Sequence, residues 1–185
     1  MNQSFAFIIC VFLLLPISLS NSQSKRMQPH FSLKQLINST YRTGDGLWIN
    51  DLGKKEVTLH SGDYRIEMPD SSAPEIIYRY RMNFNGEYAF GDLNGDDRLD
   101  AIICLAEWGG GSGIFRSVNA VIDSNGHPIH TAKFYVGDRT QIDTVFFDSG
   151  LVKVRVRDYF KKDSIISYTL KYNATERKFV EIKNH

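Results

Sequence analysis

Asp92, Asn94, Asp96 and Asp100 stand at relative positions 1, 3, 5 and 9 of the stretch that follows Gly91. Oxygen donors at that spacing on a looped backbone can wrap one hard cation. Arg98, at position 7, would contribute its backbone carbonyl. Carboxylates packed this closely repel one another, and a bound divalent cation offsets the repulsion. Six to eight oxygens at about 2.3–2.6 Å suit calcium better than magnesium. Two positions depart from a helix-flanked calcium hand. Position 6 is Asp97 where glycine turns most easily, and position 12 is Ile103 where a bidentate glutamate would close the shell. The flanks read as strands, so the expected site is a calcium loop between two strands. The competing reading is a solvated acidic turn without a metal.

Other residues offer weaker chemistry. Gly109-Gly-Gly-Ser-Gly113 follows Trp108. No Gly-Lys-Ser/Thr and no helix follow it, so it is not a phosphate cradle. It reads as a hairpin connection, with Trp108 as a stacking wall for a ligand in the sharper version. Gly137-Asp138-Arg139 lies between two strands and reads as a turn, with Arg139 as a candidate partner contact. Lys153, Arg155 and Arg157 alternate with valines, and Arg79 and Arg81 form a second basic row. If the two strands were neighbours, the rows would form a positive face for a polyanion or an acidic partner. His127 and His130 flank Pro128 and read as surface histidines at a turn. Neither a Gly-x-Ser-x-Gly elbow nor a His-Glu-x-x-His motif is present.

The elements that must position these residues are mostly strands. Ser32 can cap a short helix whose apolar residues are Leu33, Leu36 and Ile37, ending near Ser39, with Tyr41 packing back on it. From Leu47 onward the periodicity is two. Ile76 to Phe84 alternates as one long strand. Tyr88–Phe90 and Leu99–Leu105 flank the acidic loop, and Ile114–Ile122 runs into a turn at 123–126. Further strands are expected at 130–136, 140–147, 151–158, 164–172 and 178–182. Their short connections favour antiparallel pairing. The expected fold is mainly β, an antiparallel sheet or sandwich with one short N-terminal helix.

Residues 1–20 carry no charged side chain, and Phe5–Leu15 is apolar until Pro16. Eleven residues are fewer than the roughly 20 that span a bilayer. With small residues at Ser18 and Ser20, this reads as a secretory signal cut near Ser20 or Ser22. Residues 21–30 then form a flexible leader, and 31–185 form one domain. Cleavage removes Cys10 and leaves Cys104 alone in Ala101-Ile-Ile-Cys-Leu-Ala106, where it reads as a buried apolar residue. The 185 residues are 42% hydrophobic and 23% charged, with 22 basic against 21 acidic side chains and a net charge of +1. That balance supplies no bulk attraction for nucleic acid.

The stretch Phe90-Gly-Asp-Leu-Asn-Gly-Asp-Asp-Arg-Leu-Asp-Ala101 resembles the calcium loop of FG-GAP repeats in integrin-type propellers. A longer pattern runs through Gly110-Gly-Ser-Gly-Ile-Phe115, Gly126-His-Pro128, Gly137-Asp-Arg139 and Gln141-Ile142, with Leu36-Ile-Asn-Ser-Thr-Tyr41 upstream. Over roughly 33–157 this is similar to a family of small secreted bacterial proteins and lipoproteins of unassigned function. The chain departs from that pattern at Asp97, where the family has glycine. The resemblance implies export to the periplasm or beyond and a compact β-rich domain, and no activity. The leading expectation is a secreted, single-domain binding module with a structural calcium ion, acting on a protein or another envelope component. The alternatives are a cell-envelope hydrolase with a cleft near Trp108 and an inhibitor of an envelope-directed enzyme.

Overall fold

The computed structural model describes residues 28–45, 47, 49, 53–161 and 164–183. The expected signal and residues 21–27 of the leader lie outside the described residues. His30, at the end of that leader, belongs to the folded domain: its Nδ1 lies 2.7 Å from Asp123 Oδ2.

The helix α1 (Leu33–Leu36) is a single turn. Ser32 and Gln35 form a reciprocal capping box, which satisfies two of the amides a helix start leaves open. The turn stops short of Ser39 because the chain tightens. Asn38 N and Ser39 N donate to Gln35 O and Leu36 O, both at 3.1 Å. The Asn38 and Ser39 side chains donate to the carbonyls of Lys34 and Gln35 at 2.7 Å each, competing with further helix. Tyr41 packs back as expected, its hydroxyl donating to Leu36 O at 2.8 Å.

Two short strands, β1 (Thr40–Arg42) and β2 (Glu56–Thr58), pair antiparallel. A meander follows: β3 (Asp63–Pro69), β4 (Ile77–Gly91), β5 (Asp100–Trp108), β6 (Phe115–Ser124) and β7 (His127–Asp138). They form a five-stranded sheet in sequence order. Arg139 alone joins it to a second meander, β8 (Thr140–Asp148), β9 (Leu151–Asp158), β10 (Ser164–Asn173) and β11 (Lys178–Glu181). Asn125 and Gly126, with φ 55° and 84°, and Ser149 and Gly150, with φ 49° and 80°, turn the β6–β7 and β8–β9 hairpins. Both pairs occupy the left-handed region that matches strand twist. The two strands expected at 76–84 and 88–90 are one strand, β4, whose register shifts between Phe84 and Tyr88. Gly86, at φ 102°, lets the chain bulge there.

Strand β5 is buried from Asp100 to Glu107 because both faces of its sheet are covered. Ile102 and Cys104 pack with Val118, Val152, Val154 and Leu170, under the four-stranded sheet. Ala101, Ile103 and Leu105 pack with Leu36, Tyr41, Val57 and Leu59, under the helix and the β1–β2 pair. A strand buried on two faces reads as a continuous apolar run. Burial also pushes the Cys104 thiol far above its ordinary pKa, which makes it a packing residue.

Candidate functional site

The acidic loop connects β4 to β5. Asp92 Oδ1 accepts the amides of Gly95 at 2.7 Å and Asp96 at 3.2 Å, and its Oδ2 accepts that of Asp97 at 3.0 Å. These bonds curl the chain, with Gly95 at φ 80° and Asp97 at φ 60°. Asp97 thus takes the left-handed turn that glycine would adopt without a Cβ penalty. Asp100 is fully buried; its Oδ2 accepts Leu93 N at 3.0 Å and its Oδ1 accepts Asp123 N at 2.8 Å. Burial, acting against those two bonds, raises its pKa.

Asp96 faces Arg98, whose Nη2 lies 2.6 Å from Asp96 Oδ2, and its pKa is lowered by that bond. Arg98 Nη1 reaches Asn125 Oδ1 at 3.0 Å and ties the loop to the β6–β7 turn. Asn94 Nδ2 donates to Asp96 Oδ2 at 3.1 Å. Among the described residues no three carboxylates, histidines or cysteines converge as metal ligands. The donors are hard oxygens of the kind calcium takes. An ion held by Asp92, Asn94, Asp96, Asp100 and the Arg98 carbonyl would have to draw Asp96 away from the Arg98 guanidinium.

At the other end of β5 lies a cleft of about 500 Å³. Its lining includes Gly44, Leu47, Glu107, Phe115, Arg116, Lys133 and Tyr135. Glu107 is buried at its floor and forms an ion pair with Lys133 Nζ. Glu107 Oε2 accepts Gly44 N at 2.7 Å and the Tyr80 hydroxyl at 2.9 Å. Burial and the adjacent carboxylate together push the Tyr80 phenol far above its ordinary pKa, so it stays a donor. The phenyl ring of Phe115 packs 6.3 Å from that of Tyr135 along the rim.

The cleft was not foreseen from the sequence. Glu107 follows an apolar run, and its partners come from β4, β7 and the segment after β1. One signal was available: Glu107 continues the period-two row of Ala101, Ile103 and Leu105, which places a carboxylate on a buried face. Trp108, one residue on, points to the opposite face of β5 and does not line this cleft.

The structure does not bring the other expected contacts together. Trp108 is covered by the Arg81 guanidinium, 5.6 Å from the ring centroid. Arg81 also pairs with Asp63 at 2.5 Å, and Arg79 with Glu67 at 3.1 Å. Arg79 and Arg81 belong to the five-stranded sheet, whereas Lys153, Arg155 and Arg157 lie on β9 of the four-stranded one. The strands are not neighbours, and the two basic rows do not merge. On β9, Lys153 donates to Thr169 Oγ1 at 3.1 Å and Arg157 pairs with Asp143 at 3.2 Å. Arg139, at φ 49°, forms the corner between the sheets and donates to the Ser112 carbonyl and hydroxyl.

No protein-family model, curated protein or solved structure matches this chain.

His130 differs from the surface histidine expected. Its Nδ1 accepts Arg42 N at 3.1 Å and its Nε2 lies 3.0 Å from Ala132 O, a pattern that fits the neutral ring. Burial, with Lys133 and Arg42 nearby, lowers its pKa from 6.5 to about 4. The unfolded chain takes up this proton near 6.5, whereas the folded one resists until about 4. Its contribution is complete above pH 6.5 and is lost as pH falls towards 4, at most about 3 kcal/mol. Urea unfolding across that range should show a flatter stability profile for His130→Gln than for the parent. Identical slopes would remove His130 from this role.

Proposed function

We propose that this chain is an exported, single-domain binding module, in which the acidic loop holds one structural calcium ion and the cleft over Glu107 and Lys133 receives the ligand. The observation that carries this reading is the separation of the two features along β5. Asp100 opens the strand and Glu107 stands near its end, seven residues or roughly 24 Å away. An ion in the loop would brace the β4–β5 and β6–β7 connections rather than touch a molecule in the cleft.

Support for binding over hydrolysis comes from Glu107. Its oxygens are occupied by Lys133, Tyr80 and Gly44, an arrangement that orders the cleft and leaves the carboxylate poorly placed as a general base. Support for export comes from the charge-free apolar segment at 5–15 and from the resemblance to small secreted bacterial proteins.

The test is thermal unfolding with calcium and with chelator. Calcium at about 100-fold over its dissociation constant should add roughly 2.7 kcal/mol, or about 5–10 °C. The double variant Asp92→Asn, Asp96→Asn should lose that shift. If the parent shows no shift and no calorimetric heat with calcium, the loop is a metal-free turn closed by Arg98.

A further inference from the structure

Arg116 is a cation set partly inside the protein with no carboxylate against it among the described residues. It makes no ion pair among the described residues, and its Nε donates to the Thr140 carbonyl. Desolvation lowers its pKa, and the Glu87 carboxylate and Tyr159 phenol act on it only through space. A guanidinium in that state gains from an anion brought to it, because the anion replaces lost hydration with charge-assisted hydrogen bonds.

Beside it runs a groove of about 350 Å³, lined by Ile114, Arg116, Arg139, Thr140, Tyr159 and Phe160. Tyr159 and Phe160 are 53% and 64% exposed, adjacent aromatic residues at the turn between β9 and β10. Arg139 sits over the Phe160 ring, 5.1 Å from its centroid, and bonds to Ser112 hold it there. Asp138 Oδ2 forms a long ion pair with Arg139 Nε at 3.8 Å, while its Oδ1 accepts Ile114 N at 2.8 Å, so Arg116 is the cation left to anchor an anion. Thr140 is 5% exposed, and its hydroxyl has no hydrogen-bond partner among the described residues. The groove therefore combines two guanidinium groups with exposed rings and an apolar wall.

We infer that this groove binds a small ligand carrying an oxyanion on a flat apolar ring, with the oxyanion on Arg116 and the ring against Phe160 and Tyr159. Arg116 also lines the cleft over Glu107, so the two cavities share one anchoring cation. The inference extends the binding reading to a ligand class and is independent of the calcium loop. Aryl phosphate monoesters and aromatic carboxylates share the required chemistry, and probes of each kind separate them.

The experiment is a titration of the full chain, followed by amide chemical shifts, with phenyl phosphate, benzoate, inorganic phosphate and benzyl alcohol. Phenyl phosphate or benzoate should bind saturably and shift residues 114–116, 139–140 and 159–160. The better of the two should bind at least about tenfold tighter than inorganic phosphate or benzyl alcohol, a difference of about 1.4 kcal/mol. Arg116→Gln should weaken it about tenfold or more, and Phe160→Ala should remove most of the advantage over inorganic phosphate. Should Arg116→Gln fail to fold, Phe160→Ala alone carries the test, since that ring is exposed. The inference falls if neither aromatic probe saturates below about 10 mM, if a folded Arg116→Gln binds unchanged, or if the shifts centre on Lys133 and Tyr135 instead. The last outcome would place the ligand in the neighbouring cleft and leave the binding reading standing without this groove.

Discussion

Glu107→Ala is expected to destabilise the domain by about 3–5 kcal/mol, because removing one partner of a buried ion pair leaves the other uncompensated. For a domain of this length that corresponds to a fall in Tm of roughly 6–20 °C. Glu107 is 2% exposed, so water does not replace the lost carboxylate without a cavity. Lys133, with 18% of its side chain exposed, would keep its charge near an apolar floor. The Tyr80 hydroxyl and the Gly44 amide would each lose an acceptor, at 2.9 and 2.7 Å. An unsatisfied buried donor costs more than a typical hydrogen bond contributes. The double variant Glu107→Leu, Lys133→Met removes both charges at similar volume. It should be less destabilised than Glu107→Ala alone, as apolar replacements of buried pairs often are. Equal losses in the two would mean that the carboxylate's other partners, not the ion pair, dominate.

Gly91→Ala should cost about 3 kcal/mol or more, at the upper end for overpacking. A Cβ on Gly91 would lie 2.2 Å from Cδ1 and Cγ of Phe147 and 2.8 Å from Cδ2. The Phe147 ring packs directly against the glycine, so β4 and β8 approach as closely as backbone and ring allow. A close-packed interface yields to an added methyl only by moving one sheet from the other. The penalty should be coupled to the ring. In a Phe147→Ala background the same Gly91→Ala change should cost less than about 1 kcal/mol, because the clashing atoms are gone. Chemical denaturation of the four species closes the cycle. Additive losses would show that Gly91 is needed for its backbone and not for the ring above it.

The two residues differ in how far the sequence exposes them. The strand pattern around Gly91 was readable: a glycine ends an alternating run and opens an acidic loop. Its contact with Phe147 was not, since that residue is 56 positions on and alternation assigns it a face without assigning it a partner. Glu107 is harder still. Its partners lie 27, 26 and 63 residues away, and no local rule links them. The acidic loop stands at the opposite extreme. The Asp92 carboxylate accepts from amides three to five positions ahead, so spacing alone shows that the chain curls there. Spacing did not show that Arg98 turns back on Asp96 and supplies an internal positive charge.

The basic rows mark the same boundary. Alternation correctly placed Val152, Val154 and Val156 in the core and Lys153, Arg155 and Arg157 on the other face of β9. Whether β9 lies beside β4 depends on which strands share a sheet. The chain breaks its meander at Arg139, a corner held by Ser112 and Ile114 from a distant turn.

By itself, then, the sequence determined the β-rich class, nearly all of the strands, the hairpin turns and the curl of the acidic loop. Each follows from hydrogen bonds and side-chain alternation within a few residues, where geometry is set by covalent distance. Only the tertiary structure decided where the two sheets part, which carboxylate is buried, and which half-buried arginine has no ion pair among the described residues. Those depend on residues brought together across scores of positions, and burial turns an ordinary charge into one that must be paired, solvated or bound.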